Sequence, residues 1–287
     1  MLHSSLKWLT LASWYLCSTA AYSAPNVLVS VSPLQGLVAD LMQGVGKPEL
    51  LLEDGADLHH FAYKPSDINK LSSAQLLIWV GERFEPDLPT YISNGIVTGK
   101  SLELARMLQK EQLLYLPSQS KSKVIDPHLW LSPSIMAEAI TLIAANLIEL
   151  DPPNASIYRS NREVIFAELK GLSARLAHQL KPYQAKSFAV YHNAYSYLVR
   201  EAGMQQPLVL ESSVHGQLSL NSIRKLMQSA DQRPNCVVVS SHDPVHKIKR
   251  VMASLEMKVV ELNNVGAENY TQAIQAMLDD LVQCFDN

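Results

Sequence analysis

Four stretches of the chain place histidine where a loop would aim it. They are "DGADLHH" with His59, "VIDPHLWLSP" with His128, "YHNAYSYL" with His192, and "SSHDP" with His242 and Asp243. Neutral imidazole and carboxylate are the donors a borderline divalent cation takes, and four of them complete a tetrahedron. His59 follows a strand and its loop, and His192 closes the strand-like "SFAVYH". The His242-Asp243 pair follows "CVVVSS", and His128 sits in a proline-bounded turn before a helix start. Three imidazoles and one carboxylate meeting between two halves of the chain would make a metal site.

The remaining histidines fit that pattern less well. His3 lies in the N-terminal leader, and His178 falls on the polar face of a long helix. His60 neighbours His59, and adjacent side chains on extended backbone point to opposite faces. His242 and His246 stand four residues apart, but Asp243-Pro244 starts a helix between them. Asp243 could serve there as a helix cap instead of a ligand. His215 could reach a cleft from its loop, and Glu211 reads as a solvated group or one standing behind the ligands.

The elements that would carry these loops alternate. Strand-like "NVLVSVS", "ELLLEDG" and "LLIWVG" (76–81) are separated by helical runs, the first of them opening at Ser32-Pro33 with a capping side chain. "SPSIMAEAITLIAANLIEL" repeats that start at Ser132-Pro133 and puts Ile135, Ala139, Ile143 and Leu147 on one stripe. Asp151-Pro152-Pro153 then breaks the pattern. A helix from about Asn154 to Leu180 follows, carrying Ile157, Val164, Ile165, Leu169, Leu172 and Leu176. Its length of roughly 40 Å exceeds what one lobe needs, so it reads as a connector ended by Pro182. A second alternation fills the rest: "SFAVYH", "PLVLESSV", "CVVVSS" and "KVVEL" as strands, with a closing helix from about Tyr270 to Cys284. The expected fold is α/β, two lobes each built on a mostly parallel sheet covered by helices, joined by one long connecting helix. The boundaries are a signal peptide at 1–24, lobes at 25–152 and 182–287, and the connector at 153–181. In such sheets ligands sit outside the carboxyl ends of the strands, where these loops converge.

Composition sets the outer limits. The 287 residues are 47% hydrophobic and 18% charged, with a formal net charge of -3, which suits a full globular core. No basic footprint is present, so nucleic acid is excluded as a partner. Lys7, the apolar run Trp8 to Leu16 and Ala21-Tyr22-Ser23 read as a cleavable export signal. Cleavage is expected near Ser23 or Ala24, giving a periplasmic product with no later membrane-spanning segment. Removing the leader leaves Cys236 and Cys284, which read as a disulfide in an oxidising compartment or as two buried free thiols.

On "DGADLHHFAYKPSDINKLSSAQLLIWVGERFE", "DPHLWLSP", "YHNAYSYL" and "VVVSSHDP", the chain resembles the metal-binding receptors of ABC transporters, the zinc and manganese solute-binding family. The resemblance implies His59, His128 and His192 as metal ligands, Asp243 as the fourth, and Trp130-Leu131 as a packing anchor. It also implies a Cys236–Cys284 disulfide, as in zinc-type members. It further implies a monomer that carries Zn2+, with Mn2+ or iron as the alternative cargo, and hands it to an ABC permease in the inner membrane. One departure is visible. "YLPSQSKSKVIDPH" is short and lacks the histidine-rich acidic loop that zinc-specific relatives often carry before the second motif. A periplasmic zinc hydrolase is the competing class, but no His-Glu-x-x-His run or nucleophile elbow is found.

Overall fold

Val27-Leu28-Val29 is buried on both faces, the mark of a strand inside a parallel sheet. A computed structural model describes residues 23–52, 63–116, 124–210, 220–228, 234–241, 243–262, 266 and 269–286. His59, His60, Glu211, His215 and His242 lie outside the described residues, as do positions 1–22 of the expected leader.

The first lobe runs β1 (Val27–Val29), α1 (Ser32–Leu41), β2 (Glu49–Leu50), α2 (Pro65–Ser73), β3 (Leu76–Trp79), α3 (Leu88–Ser93), β4 (Lys100–Glu103) and α4 (Leu104–Met107). Its four strands pair in parallel in the order β2-β1-β3-β4. A short antiparallel pair, β5 (Tyr115–Leu116) and β6 (Val124–Ile125), leads through a 3-10 turn at Leu129–Leu131 into α5 (Pro133–Leu150). After α6 (Ala155–Leu180) the second lobe runs β7 (Ala189–Val190), α7 (Ser196–Glu201), β8 (Leu208–Val209), α8 (Leu220–Gln228), β9 (Cys236–Ser240), α9 (Val245–Ala253), β10 (Lys258–Leu262) and α10 (Tyr270–Gln283). Its strands are also parallel, in the order β10-β9-β7-β8. The expected class therefore stands: two parallel sheets covered by helices and joined by one long helix.

Several local expectations differ in detail. Ser132 caps α5 as anticipated, its Oγ accepting from Ile135 N at 3.3 Å. Ser32 does not cap α1, because Val31 takes the cap position in extended backbone and the first helical N–H groups bond to its carbonyl. On α6 the buried face is Tyr158, Ile165, Leu169, Leu172, Leu176 and Leu180, while Val164 is exposed. The expectation that nothing after the leader is apolar enough to cross a membrane fails for α5. Its 18 residues reach a mean hydropathy of 1.4, but most of the helix is buried and packs along α6. The helix α6 touches α1 and α5 of the first lobe and α7 and α10 of the second, so one rod contacts both lobes.

Cys236, the first residue of β9, is bonded to Cys284 just beyond α10, with Cα atoms 5.4 Å apart and both residues fully buried. The link pins the last helix to the sheet it covers. Closing a loop of 48 residues should stabilise the fold by about 4 kcal/mol through the unfolded chain. Replacing both cysteines with alanine should therefore lower the melting temperature in calorimetry by about 10 °C. A shift of only a degree or two would show that the link adds nothing to stability.

Candidate metal centre

The turn that holds His128 is built from the backbone outward. Asp126 N donates to Leu114 O at 2.8 Å, which fixes the turn to the β5–β6 pair. The fully buried Asp126 side chain then folds back, its Oδ1 accepting from His128 N at 3.1 Å and meeting His128 Nδ1 at 2.8 Å. Nδ1 must carry the proton in that contact, so the lone pair of the ring sits on Nε2. Trp130 and Phe84 press edge-on against the imidazole region, with Trp130 5.4 Å and Phe84 6.3 Å from the His128 ring centroid. The packing role expected of Trp130 is what the structure shows. Burial pushes the His128 pKa below its usual value, against the opposing pull of Asp126, so the ring is neutral near pH 7.

His128 Nε2 faces His192 Nε2 at 3.4 Å. His192 lies two residues beyond β7 rather than within the strand, in a turn closed by Ala194 N donating to its carbonyl at 2.9 Å. That separation is long for a hydrogen bond between the rings. It is the right separation for sharing a cation: two nitrogens each about 2.0–2.1 Å from a tetrahedral zinc are about 3.3–3.4 Å apart. Behind the pair, Asp126 Oδ2 is buried with no hydrogen-bond partner among the described residues. A buried unpaired carboxylate oxygen is costly, and a dication one imidazole away would offset it. The residues present therefore fit a metal ion.

In the second sheet the strand order reverses between β7 and β9, the switch point at whose carboxyl end open α/β sheets take their ligands. His192 follows β7, and Asp243 follows β9. Asp243 Oδ2 accepts from Ser240 N at 2.7 Å, and its own N–H donates to Ser240 O at 3.0 Å. The helix-cap reading of Asp243 is thereby corrected. The N-cap of α9 is Pro244, with no side-chain cap bond, and the Asp243 carboxylate closes the turn after β9 instead. Its charge, second to burial, raises the Tyr195 phenol, three residues beyond His192. Among the described residues His128 and His192 form a pair, and no group of three or more ligating side chains converges. His178 and His246 are exposed on α6 and α9.

At the matching switch point of the first sheet, between β1 and β3, the strand ends are bridged by a side chain that sequence reading did not single out. Glu85 is buried and accepts from Ser30 Oγ, from Val80 N at 3.1 Å and from Gly81 N at 2.9 Å. Gly81, with φ +154, allows this turn, since a Cβ there would meet Ala105 Cβ at 2.9 Å. Desolvation, only partly offset by the Ser30 and backbone hydrogen bonds, pushes the Glu85 pKa up to about 7. Asp126 was likewise assigned no role from sequence, although its place two residues before His128 in the same turn was the available signal.

Residues 27–284 match the family model described as zinc-uptake complex component A, periplasmic. The chain is 29% identical over 231 residues to the high-affinity zinc uptake system protein ZnuA of Yersinia pestis, spanning 71% of this chain and 72% of that one. It is 26% identical over 309 aligned positions to the protein of the same name from Paracoccus denitrificans, spanning 92% and 93%. A crystal structure of ZnuA superposes with a TM-score of 0.78 at 24% identity, over 91% of this chain and 98% of that one. A structure of TroA superposes with a TM-score of 0.80 at 19% identity, over 91% and 99%. At these identities the structural matches establish the fold.

Glu85 makes the fold pH-dependent in a defined direction. Its carboxyl releases its proton near the ordinary 4.5 when unfolded but near 7 when folded. The stability tied to its bound proton is thus full below about pH 4.5 and lost as pH rises through 7, on the order of 3 kcal/mol in all. Urea denaturation of the metal-free protein should show that Glu85→Gln loses less stability than the unaltered protein between pH 5 and pH 8. Identical slopes would rule out the buried acid as the cause.

Proposed function

The chain belongs to the periplasmic zinc-uptake component A family, and on that premise we propose that it is a high-affinity zinc receptor that passes the ion to an ABC permease in the inner membrane. The leader-like N-terminus supports export to the periplasm. The observation that carries the reading is the 3.4 Å separation of His128 Nε2 and His192 Nε2, which matches one edge of a zinc tetrahedron.

In this reading His128 and His192 supply two nitrogens, His59 a third, and Asp243 the carboxylate that completes the shell. The bond from Ser240 N to Oδ2 anchors the Asp243 carboxylate in the turn after β9. Three nitrogens with one oxygen favour zinc over manganese, which prefers more oxygens and a higher coordination number. The neutral state that burial imposes on His128 means zinc displaces no proton there near pH 7. The protein acts by binding and release rather than by catalysis, with capture joining side chains from two lobes.

Isothermal calorimetry checks the assignment. His59→Ala, His128→Ala and His192→Ala should each weaken zinc binding by about 100-fold or more, and Asp243→Ala by about tenfold. His178→Ala should bind like the unaltered protein, since its side chain is exposed on α6. At a thousandfold excess over Kd, zinc should stabilise the unaltered protein by about 4 kcal/mol, and the three histidine variants should lose most of that gain. Wild-type affinity in both His128→Ala and His192→Ala would refute the site.

A further inference from the structure

We propose that Tyr197, Glu201 and Tyr270 of the second lobe are positioning residues that hold the His128 turn against His192 before any metal arrives. This rests on the metal-site reading above.

The turn belongs to the first half of the chain, yet several polar groups in and beside it are held by the second. Tyr197 on α7 is fully buried, and its hydroxyl accepts from Leu114 N at 3.0 Å and donates to Asp126 O at 3.1 Å. Both functions of that hydroxyl are used, so it fixes the spacing between β5 and the turn. Tyr270, at the start of α10 and 1% exposed, donates to Trp130 O at 2.6 Å. Glu201 ends α7 and accepts from Ser134 N at 3.0 Å, from Ser134 Oγ at 3.0 Å and from the Ser132 hydroxyl. It therefore supplies an anion from the other lobe to the N-terminal end of α5, where N–H groups without intrahelical partners and the helix dipole favour one.

These bonds land on residues 114, 126, 130, 132 and 134, which bracket His128 on both sides. The helix that supplies Tyr197 and Glu201 begins at Ser196, four residues after His192. One short helix thus fixes His192 through the chain and His128 through side chains. Lobe motion cannot part the two imidazoles without breaking this set. The pair is consequently pre-arranged at its binding separation, and the ordering that a loose site would demand on capture is already complete. Loss of the set should appear mainly as faster release.

The test uses the full chain with its leader removed, Zn2+ alone as the probe, chelator-triggered stopped-flow for release, and chelator competition for Kd. Tyr197→Phe with Tyr270→Phe should speed zinc release by about tenfold, as loss of groups supporting a metal ligand does. In a His192→Ala background the same pair of changes should leave Kd within about twofold, because the separation they maintain no longer matters. Glu201→Gln, which keeps the side-chain shape, should speed release to a smaller extent and serves if the double variant fails to fold. Unchanged release in Glu201→Gln or in the folded double variant overturns the proposal, as does an equal loss of affinity with and without His192. In either of those cases a weakened His128→Ala leaves the metal site itself standing. Tight zinc binding by His128→Ala overturns both.

Discussion

The hydrogen bond between Asp126 Oδ1 and His128 Nδ1, 2.8 Å long, is the constraint from which the site follows. It decides which imidazole nitrogen keeps its proton and which keeps its lone pair. It also decides where that lone pair points, because the same Asp126 oxygen holds the backbone N–H of His128. With both ring and backbone fixed by one carboxylate, Nε2 has a single direction, toward His192. The arrangement leaves the other Asp126 oxygen buried, with no partner among the described residues. A site that carries such a cost without metal is one that gains when a cation arrives.

The two sheets share an architecture and use it differently. In the first, the switch point between β1 and β3 is bridged by Glu85, tied to Ser30 and to the backbone after β3. Phe84, next to it, then packs against Trp130 and stands at the edge of His128, so the bridged end acts as a wall. In the second, His192 and Asp243 stand on either side of the β7–β9 crossing point. The proposed metal site would therefore lie at the carboxyl end of the second sheet, where His128 of the first lobe meets His192. The rod α6 contacts helices of both lobes, and Cys236–Cys284 ties α10 to β9, which gives Tyr270 a firm base.

Much of this was legible in sequence where the signal is local. Buried parallel strands are short apolar runs, so "VLV", "LLIW", "CVVVS" and "KVVEL" could be read directly. Ser132-Pro133 and the length of α6 were equally plain. Ser32-Pro33 misled because the same dipeptide sits one position later relative to its helix, with Val31 taking the cap. The edge strand β4 shows only Leu102 buried, too weak an alternation to stand out. The histidines His128 and His192 were found by their place after or beside regular elements. The groups that hold them were not, because their partners are far away in the chain: Glu201 is 69 residues from Ser132, and Tyr270 is 140 from Trp130. Nothing periodic marks such residues. Only the folded chain shows that Tyr197 and Glu201, one helical turn apart, both bond to residues flanking His128.

The central claim is that a metal ion occupies the space between two imidazole nitrogens whose separation is already set. A crystal of the zinc-loaded protein, with diffraction recorded on both sides of the zinc absorption edge, tests it most directly. The account predicts one strong anomalous peak about 2.0–2.1 Å from Nε2 of both His128 and His192, in a four-coordinate shell. The Nε2 atoms should remain near their present 3.4 Å separation, with His128 Nδ1 still on Asp126. Zinc bound elsewhere, or bound through Nδ1 of His128 with the Asp126 contact broken, would contradict it.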